Sequence, residues 1–426
     1  MKVLVISANS FSNVYNNGKT MKMMFSNFNK CEVSQLFIRG LNEIDAEAAC
    51  SFYHIPERNL LKKILFPWLK AGHEIQIKGN NALEQELETS SNLGIKRSIT
   101  TQILREFVWL LTNWDDKAFW KWIKEQSPEI IYFQAGYPFF MHRMAWKVQK
   151  RLGIPMVSHF MDDYVVYPKR TLYKCFLIHI YRKTIKRSSI CYSIGKEMAK
   201  EYGIFFGKPF LPIMNIVPYK ERSPKQEGDI LKISYFGSLY YNRIDAILAF
   251  AEFLHKKVEP FIKTKYYIQV FSSSEINEQQ RMKMQELGVR NIGFVKGNEF
   301  VEQMKDSDIF LHVESGNKVY RRLTKLCVST KIPEYLIFYR PSFAFGPTDL
   351  ASMKVFSEID GRMVISDVLD NTSQETINNI ANIINCKEVR EDIAEKCYKY
   401  ACDNFLIEKV ANSFRLDLEN TVDNSK

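Results

Sequence analysis

The stretch ILKISYFG, residues 230–237, has the pattern of a buried β-strand that ends in a glycine. Similar short apolar runs recur along the chain and alternate with segments of helix length. This alternation is typical of parallel strands that are covered on both faces. It predicts an α/β protein with two open, mostly parallel sheets. The predicted strands are 2–7, 33–38, 129–134, 154–160 and 188–194 in the first half, and 230–237, 265–271, 290–295, 308–313, 340–345 and 362–367 in the second.

The segment between the two predicted sheets, PIMNIVPYKERSPKQEGD at residues 212–229, indicates a domain linker. It is rich in proline and charge and lacks periodic apolar spacing. We therefore expect one domain at residues 1–218 and another at 219–404. Helices are expected between the strands, for example at 101–125, and a break at residues 403–404 precedes a last helix.

The charge of the chain is unevenly distributed between its halves. The 426 residues are 46% apolar and 25% charged, as in ordinary globular proteins, and the formal net charge is +11. Residues 1–220 hold 31 basic and 18 acidic side chains, whereas residues 221–426 hold 28 and 30. The basic half is therefore expected to meet an anionic partner, such as nucleic acid, phospholipid or a phosphorylated substrate.

The cysteines and the apolar runs predict a cytoplasmic location. The eight cysteines form no CxxC pair, which favours reduced thiols over disulfides or a bound structural metal. The first apolar run is shorter than the roughly 7–15 residues of a signal-peptide core. No stretch approaches the ~18 apolar residues of a spanning helix. We expect no metal site.

Two nucleotide-binding motifs are incomplete. Gly18, Lys19 and Thr20 follow the first predicted strand, where a phosphate-binding loop would lie, but the Walker A glycine is replaced by Asn13. No GxGxxG pattern follows any strand, which makes a nicotinamide oxidoreductase a weak interpretation. The simpler interpretation is a glycine-containing turn that approaches a ligand or opens a helix.

The segment VSTKIPEYL, residues 328–336, has the features of a helix start that binds phosphate. Ser329 or Thr330 can cap the helix, and its first N–H groups attract an anion. Lys331 adds a full charge there, and Glu334 can accept hydrogen bonds from ribose hydroxyls. The alternative is a capped surface helix with a Lys–Glu pair.

Two further strand ends carry candidate site residues. Gly237 permits close backbone approach to a ligand, and Arg243 can bind a diphosphate, although an arginine early in a helix is usually solvated. His159, Asp162 and Asp163 end the strand at 154–160 and suit acid–base or orienting work. Helix capping by an aspartate and a divalent metal site are the alternatives.

The stretch 164–196 is strongly basic and contains no acidic residue. Its aromatic and aliphatic residues interleave with the cations, as in a helix that lies on an anionic bilayer. A nucleic-acid groove is the other option, but no nucleic-acid motif accompanies it. A second candidate, 103–123, can equally be a core-facing helix. The cations predicted to contact a membrane are Lys169, Arg170, Lys174, Arg182, Lys183, Lys186 and Arg187.

Together these segments resemble the GT-B glycosyltransferases, in the family-4-like group of retaining enzymes. The resemblance covers most of the chain and is most specific at residues 329–336. It extends to the turn at 162–163, the segment 193–198, Asn215 and the pair Gly346–Pro347. The fold that it implies is two Rossmann-like domains facing each other across a cleft, with 405–426 packing back on the N-terminal domain.

The resemblance also implies roles in donor binding. Lys331 and Arg243 resemble the pair that neutralises the donor diphosphate, and Glu334 resembles the carboxylate that holds the donor ribose. The family has another glutamate where this chain has Leu326, and Glu314 is the candidate replacement. The other implied donor-binding residues are Gly18, Gly237, Ser329 and Thr330.

The implied acceptor side is the basic domain. His159 resembles the family's histidine near the acceptor, and Asp162 and Asp163 belong to the same turn. The implied reaction moves a sugar from a nucleoside-diphosphate sugar to a hydroxyl of a glycan or polyprenyl-diphosphate-linked acceptor, in cell-surface polysaccharide synthesis. It would be retaining and metal-independent, with no cofactor beyond the donor. A nucleotide-sugar epimerase and a non-catalytic membrane-recruited scaffold are the alternatives; nucleic acid is not an expected partner.

Overall fold

The computed structural model describes residues 1–13, 16–41, 44–75, 99–169, 171–225, 228–370 and 372–425. The chain divides into two compact units, and each is described by itself. The first comprises Met1–Val166, Arg170–Ile213 and Ile407–Lys426. The second comprises Tyr167–Lys169 and Met214–Leu406.

The described residues of the first unit form an eight-stranded sheet. Its strands are β1 Val3–Ile6, β2 Val33–Phe37, β3 Ser51–His54, β4 His73–Ile75, β5 Ile130–Ala135, β6 Met156–Phe160, β7 Cys191–Ser193 and β8 Leu211–Pro212. Their order is β4-β3-β2-β1-β5-β6-β7-β8. Neighbours pair in parallel except β3 and β4, which are antiparallel. The central strands are buried on both faces, as their continuous apolar sequences predict.

Helices cover this sheet. They are α1 Asn16–Met24, α2 Glu57–Leu65, α3 Ile99–Leu111, α4 Lys117–Gln126, α5 Phe139–Leu152, α6 Leu172–Arg187 and α7 Gly195–Phe206. The helix expected at 101–125 is therefore two helices, α3 and α4. The break arises because the Asp116 carboxylate accepts the N–H groups of Ala118 and Phe119, both at 3.2 Å, and so caps a new helix.

A C-terminal helix, Ile407–Asp423, packs within the first unit. The Phe414 ring lies 5.3 Å from that of Phe25 and 5.7 Å from that of Tyr132, both edge to face. Arg415 pairs with Glu32 at 2.9 Å between Nη2 and Oε1. The core of the first unit is thus completed by residues from the far end of the chain.

The second unit contains a six-stranded sheet in which every pair is parallel. Its strands are β9 Ile230–Phe236, β10 Lys265–Phe271, β11 Val289–Gly293, β12 Ile309–Val313, β13 Ser342–Gly346 and β14 Val364–Ser366. Their order is β11-β10-β9-β12-β13-β14. The helices are α8 Arg243–Phe253, α9 Glu278–Glu286, α10 Gly297–Asp306, α11 Lys318–Thr324, α12 Lys331–Ile337, α13 Ala351–Ile359, α14 Gln374–Asn385 and α15 Lys387–Asn404.

The predicted α/β architecture with two mostly parallel sheets is confirmed, and each predicted strand is present. The sequence pattern missed β3, β4 and β8. These strands have two to four residues and include polar or proline positions, so they lack a continuous apolar run.

Candidate functional site

The site in the second unit begins where β9 ends. Gly237 follows the last residue of β9 and donates its N–H to the Phe271 carbonyl at 3.0 Å. Tyr241 and Asn242 then take left-handed conformations, with φ of 60° and 62°. This turn makes Arg243 the first residue of α8, so its side chain starts at the carboxyl edge of the sheet.

Arg243 forms a buried ion pair with Glu314. Its Nη2 lies 3.3 Å from Oε2 of Glu314, and the two side chains are 18% and 3% exposed. His312 Nε2 is 3.3 Å from the other carboxylate oxygen, Oε1. Burial raises the pKa of Glu314, but Arg243 and His312 outweigh it and lower that pKa below its ordinary value. Glu314 is therefore a carboxylate that holds the guanidinium in place.

Gly346 allows this arrangement because it passes very close to Glu314. A Cβ on Gly346 would lie 2.7 Å from the Glu314 carbonyl oxygen, and its φ is 151°. Both facts require glycine at the end of β13. Since β12 and β13 are neighbours, glycine here lets Glu314 lie against the sheet edge.

The predicted phosphate-binding segment forms the short helix α12. The Ser329 carbonyl accepts the Ile332 N–H at 3.1 Å, whereas Thr330 is already helical and its side chain makes no cap. The Lys331 ammonium is 3.1 Å from Glu334 Oε2. It also lies 5.0 Å from the centre of the Phe300 ring. The Lys–Glu pair therefore exists, with both side chains partly exposed.

Tyr335 joins α12 to the end of β9, a role that the sequence pattern did not reveal. Its hydroxyl accepts the Phe236 N–H at 2.9 Å and donates to the Phe236 carbonyl at 3.0 Å. Its ring stacks on Phe310 with centroids 4.6 Å apart. Asn215 Nδ2 donates to the Thr330 carbonyl at 3.1 Å. These bonds hold the start of α12 and the Gly237 turn at one edge of the sheet.

Replacing Tyr335 by phenylalanine is expected to destabilise the second unit by about 1–3 kcal/mol. The variant leaves the buried N–H and carbonyl of Phe236 without their hydroxyl partner. Urea unfolding of the full chain measures the loss. Tyr240→Phe is the matched control, because Tyr240 is 71% exposed; equal stability of the two variants would contradict the structural role.

In the first unit, His159 is fully buried rather than presented at the end of β6. Its Nδ1 is 2.8 Å from the Tyr132 hydroxyl, and its ring packs edge to face against those of Tyr132 and Tyr192. Burial lowers the pKa of His159 to about 3, so the ring is neutral. This placement differs from the expected one, because a ring inside the core does not contact a substrate.

The two aspartates after β6 have different environments. The Asp163 carboxylate accepts the N–H groups of Val165 and Val166, both at 2.9 Å, and the Tyr202 hydroxyl at 3.0 Å. It therefore closes the turn after β6 but caps no helix, because the next helix, α6, begins at Leu172 and is capped by Thr171. Asp162 accepts the Tyr164 hydroxyl at 3.1 Å, and burial followed by the nearby Asp163 raises its pKa. Within the described ranges, no three His, Cys, Asp or Glu side chains form a group suited to a metal ion.

Gly18 lies inside α1, not in a phosphate loop. A Cβ there would be 2.5 Å from the Ser10 carbonyl oxygen, so glycine lets α1 pack against the segment after β1. Its proposed contact with a donor or acceptor stays a prediction.

The basic stretch is largely α6, and its cations do not all face outward. Arg182, Lys186 and Arg187 are exposed, as is Lys183, whose ammonium lies 4.5 Å from the centre of the Trp146 ring. Lys174 is a correction to the predicted set: it is buried and donates to the Val166 carbonyl at 3.3 Å. Lys169 is exposed, and Arg170 lies outside the described residues. No helix in the described ranges is long and apolar enough to cross a bilayer.

Comparison with known proteins identifies the fold. No family model and no curated protein matches the chain. Among solved structures, Anabaena Alr3699/HepE in complex with UDP has a TM-score of 0.59 at 12% identity, over 99% of this chain and 100% of that one. A variant of S. aureus TarM in complex with Fondaparinux, α-GlcNAc-glycerol and UDP has a TM-score of 0.59 at 10% identity, over 98% and 99%. The α,α-trehalose 6-phosphate synthase of Burkholderia multivorans has a TM-score of 0.60 at 8% identity, over 100% and 97%.

These similar structures are GT-B glycosyltransferases, and the likeness extends over essentially the whole chain. At such low identity the likeness defines the fold alone. The chain therefore has the GT-B fold, which confirms the fold expected from the resemblance.

Proposed function

We propose that the protein is a glycosyltransferase whose second unit binds a nucleoside-diphosphate sugar. The observation that carries the proposal is the buried Arg243–Glu314 pair at the carboxyl ends of β9 and β12, at the same edge as α12. Ligands of open parallel sheets bind outside the carboxyl ends of the strands. The fold supports a uridine donor, because HepE binds UDP and UDP-glucose.

The proposed chemistry is stabilisation of the leaving diphosphate. The Arg243 guanidinium is held by Glu314 and retains N–H donors for phosphate oxygens. The Lys331 side chain is 30% exposed and adds a second charge. Charge groups that are already in position stabilise the transition state without a cost of reorganisation. Glu334 is proposed to bind the donor ribose. We propose that the reaction is retaining and metal-independent.

The proposed acceptor is a hydroxyl of a glycan or polyprenyl-diphosphate-linked molecule, in cell-surface polysaccharide synthesis. The basic excess of residues 1–220 supports an anionic acceptor or membrane. The exposed cations Arg182, Lys183, Lys186 and Arg187, with Lys169, would attract the protein to the inner face of the membrane. The TarM complex with Fondaparinux and α-GlcNAc-glycerol supports a glycan as one acceptor class.

Donor binding is tested by thermal shift with a panel of nucleotides and nucleotide sugars. A ligand that binds only the folded state raises the unfolding temperature by mass action. We expect UDP and a UDP-sugar to raise it, and AMP to leave it unchanged. Product analysis with donor alone then separates transfer from epimerisation. The proposal fails if none of the UDP-, GDP- or ADP-sugars binds or reacts.

A further inference from the structure

A second candidate for membrane contact lies on α2 and α3 of the first unit. Helices α2 and α3 and the segment after α2 expose large apolar side chains. Leu65 is 73% exposed, Trp68 77%, Leu104 64% and Leu111 73%. Phe107 and Leu110 are also more than half exposed. Soluble proteins rarely expose so many large apolar groups together, and such patches mark interaction surfaces.

The exposed side chains of α3, Leu104, Phe107 and Leu111, recur every three or four residues and so share one side of the helix, and α3 packs against α2. Trp109 holds the two helices together: its Nε1 donates to Glu57 Oε1 at 2.9 Å. The Trp109 ring stacks on that of Phe140 in α5, with centroids 4.2 Å apart. Trp109 is therefore in the core, whereas Leu104, Phe107 and Leu111 of the same helix face solvent. We call this surface, formed by α2, residues 66–69 and α3, the apolar face.

The charges around the apolar face select an anionic partner. Glu57 pairs with Arg105, and Glu106 pairs with Arg143 at 3.0 Å, so the acidic groups of both helices are neutralised locally. The side chains of Arg58, Lys62 and Lys70 are exposed along α2 and the segment after it. An apolar surface with cations at its border is typical of a segment that lies in the interface of an anionic bilayer.

A second copy of the chain fits this surface less well. Two copies that packed through the apolar face would place two sets of the same exposed cations, Arg58, Lys62 and Lys70, in one interface. Like charges in a partly desolvated interface repel. An anionic phospholipid headgroup carries the opposite charge and can bind these cations.

We propose that the apolar face inserts its side chains into the interfacial layer of an anionic bilayer. The contact is then both hydrophobic and electrostatic. Helix α6, linked to α3 through α5, supplies further cations and also exposes Leu172 and Phe176. The proposal concerns the first unit alone and does not depend on the donor chemistry proposed for the second.

The test is flotation of the full chain with vesicles of phosphatidylcholine, with and without phosphatidylglycerol. The double variant Leu65→Ser with Trp68→Ser is expected to bind anionic vesicles at least about tenfold more weakly, since two large apolar side chains no longer leave water on binding. Leu416→Ser is the matched control, because Leu416 is 56% exposed on the C-terminal helix. It should bind as the unchanged chain does.

Salt and fluorescence separate insertion from simple attraction. The variant Lys183→Gln with Arg187→Gln should weaken binding at low salt only, because salt screens exposed charges. Brominated lipids should quench Trp68, and Trp68→Phe should keep the binding while losing that part of the quenching. Absence of vesicle binding, equal binding by the double variant, or a dimer that the double variant dissociates would each overturn the proposal. An unchanged urea unfolding transition for every variant shows that the fold is intact, whether or not the chain binds UDP.

Discussion

Replacing Lys331 by alanine is expected to lower the rate of sugar transfer by about 10²–10³-fold. Loss of one preorganised donor of positive charge from a transition state has that magnitude in other enzymes. The side chain is partly exposed, and its partner Glu334 is not fully buried either. The fold should therefore survive, and the loss should appear in kcat more than in KM. Steady-state kinetics with the donor found by thermal shift measures it.

The matched control is Lys305→Ala. Lys305 Nζ is 2.9 Å from Glu302 Oε1, so it forms a Lys–Glu pair of the same spacing on α10. The loss of an exposed pair of this kind changes stability by less than about 1 kcal/mol. If Lys305→Ala and Lys331→Ala reduced turnover equally, Lys331 would have no special role in the reaction.

Arg243 requires a different substitution. Alanine at 243 would leave the buried Glu314 carboxylate without its partner, which costs about 3–5 kcal/mol in stability. A loss of turnover would then be hard to separate from unfolding. Arg243→Lys keeps the charge but loses the planar fork of N–H groups. We expect it to fold and to bind the nucleoside diphosphate more weakly than the unchanged chain, as measured by calorimetry.

Acid is expected to unfold the first unit well before the second. His54, His142 and His159 all belong to the first unit, and burial lowers their pKa values to about 4, about 4 and about 3. In the unfolded chain these rings take up protons below about pH 6.5. The unfolded state then binds more protons than the folded state, so the free energy of unfolding falls as the pH falls below that value.

Glu106 opposes part of this effect. Burial raises the pKa of Glu106 to about 7, although Arg143 and the Phe139 N–H favour its charged form. Between about pH 4.5 and 6.5 the folded state therefore holds one proton that the unfolded state has released. On unfolding in this pH range, the three histidines take up about three protons and Glu106 releases about one, so the net uptake is about two protons. The free energy of unfolding of the first unit should then fall by about 3 kcal/mol per pH unit.

Urea unfolding across this pH range, with the two units followed separately, measures the slope. His142→Gln should lower the net proton uptake on unfolding by about one, and so reduce the slope by about 1.4 kcal/mol per pH unit. The second unit is an internal control: burial lowers the pKa of its His255, but Glu259 and the Leu287 carbonyl raise it overall. A first unit whose stability is independent of pH here would contradict the buried, neutral state of the three rings.

The fold was readable from the sequence because parallel strands buried on both faces need continuous apolar runs. The strands β9 and β12 illustrate this, since both coincide with predicted runs. The strands β3 and β4 were not predicted because they are short and carry polar side chains. The segment 328–336 was singled out by its capping and charge pattern; it forms the helix α12, although the Thr330 side chain makes no cap, and its role in donor binding stays a prediction.

The contacts of the site were less predictable because they depend on strand order. Arg243 and Glu314 are far apart in sequence and meet because β9 and β12 are neighbours in the sheet. For His159 the sequence predicted a contact with substrate that the structure does not favour. Its position near a strand end suggested access to substrate, but the face of β6 that it occupies is covered by aromatic rings that pack on the C-terminal helix.

The return of the C-terminal helix to the first unit has a consequence for synthesis on the ribosome. The second unit is continuous from Met214 to Leu406, apart from Tyr167–Lys169, and its sheet is complete before the last helix emerges. The core of the first unit is incomplete until Phe414 packs on Tyr132 and Tyr192 and Arg415 pairs with Glu32. A ribosome-bound chain that ends just before residue 407 therefore leaves the rings of Tyr132 and Tyr192 without their Phe414 partner. We expect such a chain to be bound by chaperones, although almost all of the protein has been translated.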